Sequence, residues 1–305
     1  MTDSTDTAVW QPLTEQDIQH QIASLEQLTD CPTLVIAASH LDMALLPPLY
    51  ERLSDLEPNQ WLNVVLYIRG GEVNAARRLA LLLKHHAPQL RFIIPFHCES
   101  AGTLLSLVAD EIIAGPMSMF SPIDPHLHAE AGDNTADSPG AMSAEDIRQF
   151  SEVMENWFHL EPQSAAENAL TLLSGSIFPT TMTGFYRATE EVKMIATELL
   201  ARRQNAIKDN DAEQLVSHLL HGFYSHSYAI TDEELQALGL NIVTNKAVER
   251  VSWKIGSLLN DSFGGSSRQA AEDEWADIYI ADKYGCSIRR QRRQQLVGSW
   301  HQVSW

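Results

Sequence analysis

A serine between an apolar strand and a helix opened by small residues is placed for nucleophilic chemistry, and this chain has one at Ser100. Phe92 to Phe96 reads as a short buried strand. Ala101 and Gly102 then open a helical pattern that carries Leu104, Leu105, Leu107 and Val108. At such a turn the hydroxyl is held clear of the strand, beside free N–H groups and the positive end of the helix dipole. The same serine has a purely structural reading as an N-cap, because Ser is a favoured capping residue.

A partner for that chemistry lies upstream. Trp61 to Ile68 is a second strand-like run that stops at Arg69-Gly70-Gly71-Glu72, and Ala75, Ala76, Leu79, Ala80 and Leu83 then repeat at helical spacing. Adjacent glycines let backbone N–H groups face a ligand without side-chain obstruction. Gly70 and Gly71, with the N–H of Ala101 just after the serine, therefore make a candidate oxyanion hole for an acyl-transfer intermediate.

Further residues compete for the remaining roles. His126 and His128 alternate with Leu127 and are base candidates. As a His-x-His pair they are also half of a metal site, but no Cys or carboxylate spacing completes it, so no metal is expected. Lys193 has the chemistry of a lysine base, yet it sits among Glu190 and Glu191 on what reads as a solvated helix face, where its pKa would rise. Cys98 is a nucleophile by type but lacks the helix-start position that activates a thiol.

The run Ser100-Ala101-Gly102-Thr103-Leu104-Leu105, then Ala109-Asp110-Glu111-Ile112-Ile113-Ala114-Gly115-Pro116, then Ser121-Pro122-Ile123-Asp124-Pro125-His126, resembles the serine dehydrogenase proteinase family. That family is a branch of the ClpP/crotonase-fold serine peptidases, related to signal peptide peptidase A. His226 to Leu240 is similar to the family's closing motif, and Leu66 to Glu72 to its Gly-Gly oxyanion segment. The likeness spans residues 33–243 and is poor over 130–180. It implies an α/β fold of ClpP/crotonase type, a serine peptidase acting on peptide or protein substrate, a homo-oligomer, and no nicotinamide or pyridoxal cofactor.

Three departures from the family pattern shape the site. Where ClpP-like enzymes carry a histidine soon after the nucleophile helix, this chain has Ile123-Asp124. Where they carry the triad aspartate, it has His226. The resemblance thus implies a permuted triad of Ser100 as nucleophile, His226 as general base and Asp124 orienting the imidazole, since a triad is defined by geometry and roles. Ile68-Arg69 also replaces the family's usual Thr-Pro before Gly-Gly. The contrasting reading is a catalytically inactive scaffold that holds a peptide or partner in the same groove. An acyl-CoA enzyme of crotonase type is a more distant reading, because that branch needs no serine at this turn.

Composition bounds the setting. The chain has 305 residues, 44% of them hydrophobic, enough for one substantial core with appendages. A net charge of −19 disfavours nucleic acid or an anionic membrane as partner of the main body. No apolar run reaches the roughly 20 residues needed to span a bilayer. The polar, acidic start lacks the apolar core of a signal peptide. Three widely spaced cysteines fit a reducing compartment, so the expectation is a cytoplasmic protein.

Alternating strand and helix patterns predict a mostly parallel sheet with surrounding helices and a helical C-terminal part. The expected organisation is a disordered stretch at 1–10, a ClpP/crotonase-like domain at 11–250 with a mobile acidic loop at 129–144, and a C-terminal extension at 251–305. That extension carries the basic cluster Arg289-Arg290-Gln291-Arg292-Arg293, a candidate contact for RNA or an acidic patch, and a tail with Trp300 and Trp305 expected to dock on this or another subunit.

Overall fold

The stretch Thr33–Ala38 is apolar after its first residue and buried throughout, the pattern of a strand covered on both faces. In the computed structural model, which describes residues 15–56, 59–127, 142–263, 274–292 and 299–304, this strand (β1) lies inside a ten-stranded sheet. It follows the first helix, Glu15–Thr29 (α1), and a single 3-10 turn then leads into Leu46–Asp55 (α2).

Two strand–helix units follow, as the periodicity predicts. Trp61–Ile68 (β2) runs into Val73–His86 (α3). Gln89–Ile94 (β3) and the two-residue strand His97–Cys98 (β4) run into Ala101–Ser106 (α4). Glu111–Ala114 (β5) and Met119–Phe120 (β6) complete the central part. The chain then pairs His126–Leu127 (β7) with Met142–Ser143 (β8) in a separate two-stranded ribbon.

The helical part is Ala144–Asn156 (α5), Pro162–Ser176 (α6), Pro179–Ala201 (α7), Asp209–His221 (α8) and Asp232–Ala237 (α9). A short strand Ile242–Val243 (β9) leads to Lys246–Ser262 (α10). Three strands follow: Glu274–Asp282 (β10), Gly285–Arg292 (β11) and Ser299–Ser304 (β12).

The main sheet runs β12-β11-β10-β1-β2-β3-β5-β9. β1, β2, β3, β5 and β9 are parallel, β10, β11 and β12 are antiparallel, and β4 bridges β2 and β6. Strand alternation divides the core in two. Val35, Ala37, Val65, Tyr67 and Ile93 pack with Ile18, Ile22, Ile255 and Leu259 of α1 and α10. Leu34, Ile36, Val64, Leu66 and Phe92 pack with the α2, α3, α4, α7 and α8 side.

The stretch 251–305, expected as a C-terminal extension, is in its described part joined to the central sheet. The boundary falls inside α10, and β10 pairs with β1 over Val35 to Ala38, so these residues complete the central sheet. Of the basic cluster at 289–293, the structure decides Arg289, while Arg293 lies outside the described residues. Arg289 is buried and fork-bonded to Asp277, with a second ion pair to Asp42 at 2.6 Å, so its charge is consumed inside the fold. The expected disorder at 1–10 and most of the expected loop at 129–144 lie outside the described residues. The last three residues of that loop, however, are β8 and the start of α5.

Candidate active site

The candidate site lies at the C-terminal ends of β2 and β4, where an open α/β sheet places its ligand crevice. A cavity of about 260 Å³ there is lined by Gly70, Gly71, Ser100, Ala101, Asp124, His126 and His226, among others.

Ser100 sits at φ 51° and ψ −108°, off the regions an L-residue prefers, and its side chain makes no capping bond to α4. The N-cap reading is therefore excluded. The turn is held by a relay of hydroxyls. Thr103 Oγ1 donates to the Cys98 carbonyl at 2.8 Å and accepts the Ser121 N–H, and Ser121 Oγ accepts the Ser100 N–H at 2.8 Å. A Cβ on Gly102 would stand 3.1 Å from Ile68 Cβ, so the small residue after Ala101 lets α4 lie against β2.

The Gly-Gly turn is fixed by its neighbour. Leu41 N–H donates to the Gly70 carbonyl at 2.9 Å, and Glu72 N–H donates to the Leu41 carbonyl at 2.8 Å. Gly70 and Gly71 have φ of +117° and +140°, and a Cβ on Gly71 would fall 2.3 Å from Leu41 N. Among the described residues the N–H groups of Gly70, Gly71 and Ala101 meet no hydrogen-bond acceptor, which is the state an oxyanion hole requires. Arg69 turns aside, its guanidinium donating to Tyr67 Oη and Asn260 Oδ1.

His226 and Asp124 come together across 102 residues of chain, with His226 Nδ1 2.7 Å from Asp124 Oδ1. A carboxylate only accepts, so Nδ1 carries the proton of the neutral ring and Nε2 is the nitrogen left with a lone pair in that tautomer. The His226 loop is pinned by a two-bond bridge between Phe120 and Ile230, and α9 after it is closed by a capping box of Thr231 and Glu234. Asp124 is fixed from behind. The Ile123 N–H donates to the Leu219 carbonyl at the end of α8, and Ser143 Oγ donates to Asp124 Oδ2 at 2.8 Å.

Burial alone would raise the Asp124 pKa. The two imidazoles beside it and the Ser143 hydroxyl outweigh that and hold it well below the usual carboxylate range. Asp124 is thus ionised across the neutral range. Ser100 lines the same cavity as this pair, but its hydroxyl makes no hydrogen bond to His226 in this structure.

His126 joins the pair. Its ring stacks edge-on against His226 with centroids 4.0 Å apart, and its Nε2 lies 3.5 Å from Asp124 Oδ2. One donor atom from each of Asp124, His126 and His226 falls within 4.8 Å of the others. The sequence offered no third ligand for a His-x-His pair; the fold supplies two. His128 lies outside the described residues.

The other candidates fall away. Lys193 is exposed on α7, and Cys98 is fully buried, where desolvation pushes its thiol pKa far up. Ser121 and Ser143 are the site residues that sequence reasoning missed. Their only signal was proximity in sequence to Asp124 and to the start of α5.

Residues 55–148 match the family described as ClpP-like SDH-type serine proteinase. Two proteins of Methanocaldococcus jannaschii are similar to the chain. Uncharacterized protein MJ0137 is 30% identical over 186 residues, 60% of this chain and 54% of its own length. Uncharacterized protein MJ1495 is 25% identical over 184 residues, 60% of this chain and 52% of its own. The chain thus spans about half the length of these relatives. Among solved structures, ClpP1 from Listeria monocytogenes is 14% identical with a TM-score of 0.39, covering 75% of this chain and 96% of the other. Among the described residues no helix is long and apolar enough to cross a membrane.

Proposed function

From a chain whose residues 55–148 match the ClpP-like SDH-type serine proteinases, we propose a serine peptidase that works through the permuted triad of Ser100, His226 and Asp124. The observation that carries this reading is a strained serine free of any capping duty, facing the same cavity as a histidine–aspartate pair. Ser100 Oγ attacks the peptide carbonyl while His226 Nε2 takes its proton and passes it to the leaving amine. Water then repeats the cycle on the acyl-enzyme. Asp124 keeps the imidazole in the tautomer with Nδ1 protonated. The N–H groups of Gly71 and Ala101, with Gly70 beside them, receive the oxyanion, a contribution of about 2.7–4 kcal/mol for one donor.

The test is labelling with a fluorophosphonate probe. Ser100→Ala should abolish labelling, and His226→Ala should slow it by about 10²–10⁴-fold, the usual weight of a general base. Labelling that survives in Ser100→Ala would sink the assignment. The missing Ser100–His226 hydrogen bond favours the second reading, a peptide-binding scaffold without catalysis. That reading predicts no labelling of the wild-type protein but retention of peptide ligands.

A homo-oligomer is part of the same proposal. Trp157 (76% exposed), Phe178 (80%), Phe158, Leu170, Tyr186 and Met194 all lie uncovered on or beside α5, α6 and α7, more apolar surface than one helical region normally leaves to water.

A further inference from the structure

Buried nitrogen and oxygen atoms in proteins are nearly always hydrogen-bonded, and each exception asks for a reason. His126 Nε2 is such an exception: it is inaccessible to solvent, and its 3.5 Å contact with Asp124 Oδ2 lacks the geometry of a hydrogen bond. It points into a cluster that holds an ionised carboxylate and a second imidazole, on the wall of an open cavity.

We propose that Asp124, His126 and His226 form a binding site for a divalent transition-metal ion of the zinc type, and that the bound ion switches the serine off. Two imidazoles and one carboxylate are the donor set of three-ligand zinc sites, whose fourth position stays open to water. Zinc bonds of about 2.0–2.2 Å place ligand atoms about 3.4 Å apart around a tetrahedral ion. The separation between His126 Nε2 and Asp124 Oδ2 is already 3.5 Å, and rotation of the half-buried His226 ring closes the set.

Hard cations fit poorly, since magnesium and calcium prefer oxygen donors and two of these three ligands are nitrogen. The switching half rests on the proposed peptidase. An imidazole bound to the ion no longer receives the serine proton, and the carboxylate that aligned it is shared with the metal. The binding half stands on the cluster alone. Ser143 keeps its place in either state, because its hydroxyl donates to a carboxylate oxygen that retains a second lone pair.

The experiment is calorimetric titration of the chelator-treated full chain with zinc chloride, alongside cobalt(II) absorption and fluorophosphonate labelling with and without zinc. The expected result is one ion per chain and a tetrahedral cobalt spectrum. Saturating zinc should also slow labelling at least tenfold, reversed by chelator. His126→Ala and the milder His126→Gln should each weaken zinc binding tenfold or more, with folding checked by circular dichroism.

Absence of stoichiometric binding, or binding unchanged in both folded His126 variants, overturns the site. Zinc bound through His126 with labelling undiminished overturns the switch. If the chelated wild-type protein takes no label, the peptidase reading fails, and the switch with it, while calorimetry and the cobalt spectrum still decide the metal site.

Discussion

At the scale of single residues, the site depends on backbone held where side chains are hard to fit. Gly71 combines φ of +140° with a Cβ position 2.3 Å from Leu41 N, so Gly71→Ala must move the turn. The expected cost is about 1–3 kcal/mol of stability from backbone strain. A displaced donor should also cost about 10²–10³ in kcat. Gly70→Ala is the contrast: its Cβ would meet only Ser100 Cβ, at 3.7 Å, and the strain is confined to its φ of +117°. Chemical denaturation and probe labelling on both variants check this; equal losses would mean that contact with Leu41 is not what fixes the turn. The candidate residues were legible because their types are chemical and Ser100 and Gly70-Gly71 follow recognisable strands. His126 was legible only as half of a pair. Its neighbours Asp124 and His226 are two and a hundred residues away, and no ligand spacing in a sequence encodes a loop folding back.

At the scale of elements, the start of α5 carries a second charged knot, separate from Asp124 but one residue beyond Ser143–Ala144. Glu145 is bound by His221 Nδ1 at 2.8 Å, Arg148 Nε at 2.9 Å and Gln149 Nε2 at 2.9 Å, which ties α5 to the end of α8. Burial would raise its pKa, but these donors outweigh burial and draw it down to about 2, against 4.5 for a free glutamate. A carboxylate with a depressed folded pKa adds stability above its unfolded value and loses it as pH falls through the folded one. The stabilising difference between wild type and Glu145→Gln should therefore be full above pH 4.5 and vanish as pH falls toward 2, read from urea midpoints across that range. A difference unchanged between pH 5.5 and 3 would rule out this ion pair as its source. Elements with a clear period were legible: β2 has the expected bounds, and α3 covers the helical spacing of Ala75 to Leu83. β10 to β12 were not, because Arg289, read as part of a basic contact cluster, is paired with Asp277 inside the sheet.

At the scale of the whole molecule, the uncovered apolar residues of α5 to α7 set the expected assembly. Trp157→Glu with Phe178→Glu should reduce the mass found by light scattering to that of one chain. A wild-type protein that is itself monomeric at micromolar concentration would remove the oligomer from the proposal. The fold class was legible because parallel strands buried on both faces read as unbroken apolar runs. The assembly order was not, since exposed apolar surface says that something covers it and not how many copies do.

β1 takes its second neighbour from the far end of the chain: Val35 pairs with Ala281, while β2 on its other side follows within 30 residues. During synthesis, the core strand at residues 33–38 therefore waits as a bare edge until some 240 further residues have been made. A late, non-local closure of this kind slows folding and leaves an aggregation-prone interval. A nascent chain halted before β10 would present that edge to any neighbouring strand, so cells making this protein gain most from a chaperone acting while translation is still under way.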